Sequence, residues 1–408
     1  MDAVRPSGTE AVRQAGMDTA RPAGLDVVRP GYGADSLADV LPGVLCALGL
    51  PGAPDPLGLA TGPLSGVRRV AVLLVDGLGQ EQLPLAAPYA PNLAELATGR
   101  LGAARTITSG FPSTTPTSLV TVGTGAPPGR HGVLGFNLRV PETGRVLNHI
   151  RWWDDPDPAA WQPVPTMFER AAAAGVPVSV VSRADFAGSG LTVAAYRGAG
   201  YRGVAGADAL AAEMLSALDT EGGLVYGYHP DLDSAGHHHG LASGEWAAAA
   251  GDVDRLVTRL AEGLPPDAAL VVTADHGQLD IPLDGRLDLD TDPRLRAGVE
   301  AVAGEARVRY LYTVPGARDD VIAAWRSVLG DGAWIVPREE AVAAGWFGPV
   351  PERHLARIGD VVVACHDRTV VVASRSEPSF VARMIAFHGS YTAAEMRIPL
   401  IVVTGKTP

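Results

Sequence analysis

From about Ser36 onward, short unbroken apolar runs alternate with stretches whose apolar positions recur at helical spacing. Residues 70–75 (VAVLLV) have no polar position at all, which predicts a strand covered on both faces. Residues 177–181, 224–228, 269–273 and 398–403 repeat that texture and read as further strands. Between them, residues 91–97, 166–174, 207–218 and 246–260 read as helices, the first with proline in its first turn, where it is tolerated. This alternation predicts an α/β fold, with a mainly parallel central sheet and helices on both faces. The texture changes over about 302–374. There, strands at 307–313, 360–365 and 369–373 with a helix at 319–329 predict a small α+β insertion.

Residues 1–33 carry no such pattern. Pro, Gly, Arg and Ala recur, with Arg-Pro pairs at Arg5-Pro6, Arg21-Pro22 and Arg29-Pro30. This segment is expected to be a disordered tail, and 34–408 a single catalytic-sized domain with its insertion. No run is long enough for a signal-peptide core or a membrane span, so the expected compartment is the cytoplasm.

Composition narrows the classes. Hydrophobic residues make up 47% of the 408 positions and charged residues 19%, enough for a large core. The net charge of −12 argues against a nucleic-acid duplex or an anionic membrane as partner. The two cysteines, Cys46 and Cys365, exclude a disulfide scaffold and a cysteine zinc site, and Cys46 reads as a buried core residue. Lys406 is the sole lysine, which excludes a Schiff-base or P-loop lysine in the core.

In open α/β sheets, ligands lie beyond the carboxyl ends of the strands. Asp76-Gly77 follows the first run, and 229–237 (HPDLDSAGH) follows the strand at 224–228. Asp275-His276-Gly277 comes after 269–273, and His388-Gly389 precedes the last strand. Each motif alone reads as a turn or a structural pair, and His237-His238-His239 alone reads as a solvated loop. Three aspartates and three histidines brought to one sheet edge would instead demand cations. Their mixed N/O donors suit Zn²⁺ or Mn²⁺, and their number suits two metals. Residues 110–118 (GFPSTTPTS) offer hydroxyls for a nucleophile, at a place where a helix starting near Thr117 would also favour an anionic phosphoryl group.

In this order the motifs resemble the alkaline phosphatase superfamily, and within it the nucleotide pyrophosphatase/phosphodiesterase branch. The series is VDG at Asp76, FPSTTPTS, LVTVGTGAPPGRHG, DLDSAGH, TADHG and AFHGS. The resemblance implies an alkaline-phosphatase-like core and Thr115 as nucleophile. It implies one metal held by Asp233, His237 and His388, and another by Asp76, Asp275 and His276 with Thr115 beside it. Pro116-Thr117-Ser118 departs from the family's Phe-Pro-Asn, which leaves Thr114 as the alternative hydroxyl. Phe136 stands where the family has its phosphate-contacting asparagine, so the next residue, Asn137, becomes the substrate-binding candidate. Trp152-Trp153 is read as a loop anchored to the core rather than a base-stacking pair. His131, His238 and His239 are given no ligand role.

The implied function is metal-dependent hydrolysis of a phosphodiester or pyrophosphate through a phosphothreonine. Its substrate would be a small phosphate ester, nucleotides included, and its cofactors two divalent ions, zinc with manganese as alternative. A phosphonate or phosphomonoester hydrolase of the same superfamily is the alternative. From another class, a metal-binding protein without turnover would share the same ligands.

Overall fold

The computed structural model describes residues 27–405 except Glu221. Its main sheet has seven strands, in the order Ala103–Thr108, Arg397–Thr404, Ala268–Thr273, Arg69–Val75, Gly223–His229, Val178–Arg183 and Gly200–Val204. Arg397–Thr404 runs antiparallel to both its neighbours, and the other pairs are parallel. Val70 to Val75 are wholly buried, as an unbroken apolar run at the centre of a two-sided sheet should be. Helices Gly206–Thr220 and Gly244–Glu262 pack on each other and on the sheet. Thr115–Thr124, Gly190–Tyr196, Val40–Ala47 and Met167–Ala173 form the second helical layer.

Two edge strands were not anticipated. In Ala103–Thr108 only Ile107 is buried, and Gly200–Val204 contains two glycines and no fully buried side chain, so neither shows an apolar run. The insertion also differs in extent. Its sheet runs Val299–Gly304, Val308–Thr313, Val361–Cys365, Ala333–Pro337, all antiparallel, with helix Arg318–Leu329 against it. Val370–Val372 leaves that sheet to pair in parallel with Arg286–Asp288, so the inserted structure reaches back before residue 302. Among the described residues no helix is long and apolar enough to cross a membrane.

Most of the expected tail lies outside the described residues. Residues 27–33, however, are held to the fold: Val28 N donates to Tyr391 O (3.0 Å), Gly31 N to Thr108 Oγ1 (2.8 Å) and Tyr32 OH to Trp346 O (3.2 Å). Cys46 is half-buried rather than buried, because it sits in the last turn of Val40–Ala47, where the helix emerges from the core.

Buried histidines tie the insertion to the core. His354, on the insertion, donates from Nδ1 to Gly129 O (2.9 Å), and the His149 ring donates to Phe136 O (3.1 Å) while accepting from Trp161 Nε1 (3.1 Å). His131 bonds Thr121 Oγ1 (3.0 Å) on the second-layer helix, and Arg357 donates to Gly132 O (2.9 Å) and lies over the Trp161 ring. Burial pulls His149 and His354 each down to about 4. Their folded values lie below the unfolded value near 6.5, so the stability they support is present above about pH 6.5 and is lost as pH falls toward 4. The melting temperature is therefore expected to drop across that window, and less so in a His149→Gln, His354→Gln double variant. An equal drop in both proteins would contradict this account.

Candidate metal centre

The three central strands end level with one another, Val75 beside His229 and Leu74 beside Thr273. Asp76 directly follows the first strand, and Asp275-His276 follows the third after one intervening residue, Ala274. Helix Asp231–His239 starts directly after the second. Asp233 and His237 therefore fall one turn apart on one helix face, with Asp233 Oδ2 3.2 Å from His237 Nε2. The His237-His238-His239 run is thus the last turn of a helix and not a loop. His238 and His239 point outward and are exposed. His388 follows the short strand Ala386–Phe387 and donates from Nδ1 to Ser113 O (2.8 Å). That bond turns its Nε2 to within 3.2 Å of His237 Nε2 and 3.7 Å of Asp233 Oδ1.

Two groups of donors result, each compact enough for one ion: Asp233, His276 and His388, and Asp76, Asp275 and His276. His276 belongs to both, where the sequence reading placed it in the second alone. Its ring stacks on His388 with centroids 3.5 Å apart, which brings the groups together. Thr115 is the first residue of its helix, two positions earlier than expected. Its Oγ1 lies 3.2 Å from His276 Nε2 and 3.5 Å from Asp76 Oδ2. Thr114 is the cap residue before it and turns its hydroxyl toward Glu305 instead.

The electrostatics show what the donors lack. Asp76 Oδ1 and Asp275 Oδ2 are buried without a hydrogen-bond partner, a costly arrangement unless a cation meets them. Burial, then Asp275 and Asp233, push the Asp76 carboxyl well above its ordinary range. Burial followed by His276 pushes His388 well below the histidine range. These residues fit divalent cations by donor type and by their unmet charge.

Neighbouring groups orient the donors. Tyr228 OH donates to Asp76 Oδ2, and Gln278 Nε2 donates to Asp233 Oδ1. Each bond occupies one carboxylate oxygen and leaves the other for an ion. Sequence reasoning missed both residues, although Tyr228 closes a strand beside the motif and Gln278 lies two residues past His276. Gly77 has φ 74°, and a Cβ there would stand 3.0 Å from the Asp233 backbone, so the Asp-Gly turn needs glycine to let the two ligand segments meet.

Other candidates scatter. Asn137 Nδ2 donates to Gly304 O (2.9 Å), so its amide nitrogen braces the insertion hairpin. Trp152 is buried and donates to Pro156 O (2.8 Å), but Trp153 is 59% exposed, so only half of that pair is anchored. His131 is buried in the core network. A cavity of about 340 Å³ opens beside Tyr228, lined also by Arg183, Asp185, Gly206, His229 and Asp231. Glu305, from the insertion, is the site's unforeseen carboxyl. Burial pushes it up to about 8, against the pull of Thr114, His276 and Arg309.

Comparison with known proteins agrees with this fold. The family described as type I phosphodiesterase / nucleotide pyrophosphatase matches residues 70–391. Murine ectonucleotide pyrophosphatase / phosphodiesterase 5 has a similar fold: TM-score 0.67 at 17% identity, covering 82% of this chain and 88% of that one. Phosphonoacetate hydrolase from Sinorhizobium meliloti 1021, in complex with phosphonoacetate, gives a TM-score of 0.64 at 22% identity, covering 84% and 92%. No curated protein matches by sequence. The chain belongs to the type I phosphodiesterase / nucleotide pyrophosphatase family and is a phosphoric ester hydrolase of that type.

Proposed function

We propose that this chain hydrolyses a phosphodiester or pyrophosphate bond at a two-metal site, with Thr115 as nucleophile. The observation that carries the reading is the placement of Thr115 Oγ1 at a helix start, beside two donor groups that share His276 and leave buried carboxylate oxygens unmet. One ion would be held by Asp233, His237 and His388, the other by Asp76, Asp275 and His276, with zinc preferred for the mixed N/O donors and manganese second. When bound, such ions supply Lewis-acid charge that lowers the pKa of a hydroxyl and neutralises phosphoryl oxygens.

Thr115 Oγ1, its proton given to solvent, attacks phosphorus in line with the departing ester oxygen, and that P–O bond breaks as the Oγ–P bond forms. Water then displaces the phosphothreonine, so two inversions give net retention at phosphorus. The helix start favours the anionic phosphoryl group during both steps. Tyr228 and Gln278 hold their carboxylates in orientation throughout. The cavity beside Tyr228 has room for the organic part of the ester. Arg307 and Arg309, on the hairpin that reaches the site, are bound to Glu395 and Glu377 and so are not free to clamp a terminal phosphate. That favours a singly charged diester. Murine phosphodiesterase 5 was solved with AMP as an inactive threonine-to-alanine variant, which supports a nucleotide-like substrate and a threonine nucleophile by analogy. The likeness to phosphonoacetate hydrolase supports a phosphonate as the second reading.

The test is to load the protein with Zn²⁺ or Mn²⁺, measure metal content, and compare bis-p-nitrophenyl phosphate, p-nitrophenyl phosphate and a phosphonate ester. Two ions per chain with preferred diester cleavage is the expected result. Preferred cleavage of the monoester or the phosphonate would replace the diester reading, and failure to take up metal would overturn the site.

A further inference from the structure

The segment 109–114 joins strand Ala103–Thr108 to helix Thr115–Thr124 and so delivers Thr115 to the site, and every residue of it is buried. It is held at both ends. Ser109 N donates to Met396 O (2.8 Å) and Ser113 N to Gly389 O (2.9 Å). Ser113 Oγ donates to Ser390 O (2.8 Å), and Ser113 O accepts from His388 Nδ1 (2.8 Å). Between these ends, Phe111 N donates to Tyr32 OH (3.0 Å). The same hydroxyl donates to Trp346 O of the insertion (3.2 Å). A tyrosine hydroxyl donates and accepts at once, so one oxygen meets a backbone donor of the loop and a backbone acceptor of the insertion. Phe111 and Trp346 are both buried, where an unmet backbone group is costly.

Tyr32 belongs to a strap, residues 27–36, that meets the supports of the site. Gly31 N donates to Thr108 Oγ1 (2.8 Å), and Thr108 N donates to Asp35 O (2.8 Å). Val28 N donates to Tyr391 O (3.0 Å), and the Tyr391 ring stacks on the Phe111 ring with centroids 4.0 Å apart. Tyr391 lies three residues after His388. The strap therefore clasps together the strand before the loop, the middle of the loop, the insertion and the His388 segment.

We propose that Tyr32 is a positioning residue for the nucleophile: by pinning Phe111 N it fixes the loop that sets the Thr115 hydroxyl in line with phosphorus. Without that bond the middle of the loop has one anchor fewer, and its slack falls on the first residue of the helix. A misplacement of about 1 Å at a reacting atom can cost about a hundredfold in rate. The metal donors lie on other segments, so the loss should fall on kcat and spare metal uptake.

This inference rests on the reading of Thr115 as nucleophile. The test compares the metal-loaded full chain with Tyr32→Phe and His149→Gln, using bis-p-nitrophenyl phosphate. Tyr32→Phe keeps the ring and deletes only the bridging oxygen. It is expected to lower kcat about tenfold, with KM changed by less than about twofold and metal content at the wild-type level. The rate at which a ³²P-labelled diester puts label on threonine in a single turnover should fall by the same factor. His149→Gln disturbs the buried bonds to Phe136 and Trp161 instead, so it should lower the urea midpoint and leave kcat at the wild-type value. If Tyr32→Phe does not fold, Thr108→Val frees Gly31 from the strand, loosens the same strap and should lower kcat with KM held. A folded Tyr32→Phe with wild-type kcat overturns the inference alone, as do equal losses of kcat in Tyr32→Phe and His149→Gln, which would make stability the cause. A metal-loaded wild type that turns over without label on threonine overturns the nucleophile reading and this inference with it.

Discussion

Thr115→Ala is expected to lower kcat by at least about a thousandfold while metal content stays at the wild-type level. Asp76, Asp275 and His276 remain in place, with Asp275 Oδ1 still held by the His276 and Gly77 backbone N–H groups (3.0 and 3.1 Å). Alanine at a first helical position costs little, so the fold should survive. Thr115→Ser keeps a hydroxyl at the helix start and should recover much of the rate. Acid quenching of wild-type turnover with a ³²P-labelled diester should trap label on the threonine, and none in the alanine variant. Turnover above about a tenth of wild type in Thr115→Ala would assign the attack to another group, Thr114 being the nearest candidate hydroxyl.

Glu395→Ala should produce the largest loss of stability. Glu395 is fully buried and accepts from Arg307 Nε (2.9 Å), Ser390 N (2.9 Å) and Thr392 Oγ1 (2.6 Å). Truncating it strands the Arg307 guanidinium in a fully buried position, for which a cost of about 3–5 kcal/mol is typical. It also releases Ser390, whose carbonyl receives the Ser113 hydroxyl (2.8 Å) and so helps to hold the His388 segment to the Thr115 loop. Urea unfolding of the metal-free protein isolates the stability term, and zinc titration reads the second effect as weakened binding. A midpoint shift worth less than about 1 kcal/mol would mean that the Arg307 contacts to the carbonyls of Asp367 and Thr369 suffice for its charge.

Where burial is two-sided, local sequence was enough. Residues 70–75, 224–228 and 269–273 are apolar at consecutive positions because both faces of a central parallel strand are covered. The acids and histidines that follow them are legible for the same reason: chain order places them at one sheet edge. Edge strands were not legible. Ala103–Thr108 and Gly200–Val204 gain their pairing from neighbours and bury few side chains, so no periodicity marks them. Inside the insertion, Ala333–Pro337 was missed although its middle is buried, because it is only five residues long and helix Arg338–Ala343 follows it at once.

The acids and histidines that gather in the two compact groups were thus readable by type and order from local sequence, since they follow or precede strands that end at one sheet edge. Three features needed the folded chain. His276 lies within reach of both donor groups because the His388 segment, more than a hundred residues later, stacks on it. Tyr228 bonds Asp76 because their two strands are neighbours in the sheet. Glu305 faces Thr114 because a hairpin from the insertion packs on Gly389. Such contacts join residues distant in sequence, and their strength depends on burial and mutual orientation, which no short stretch of sequence carries.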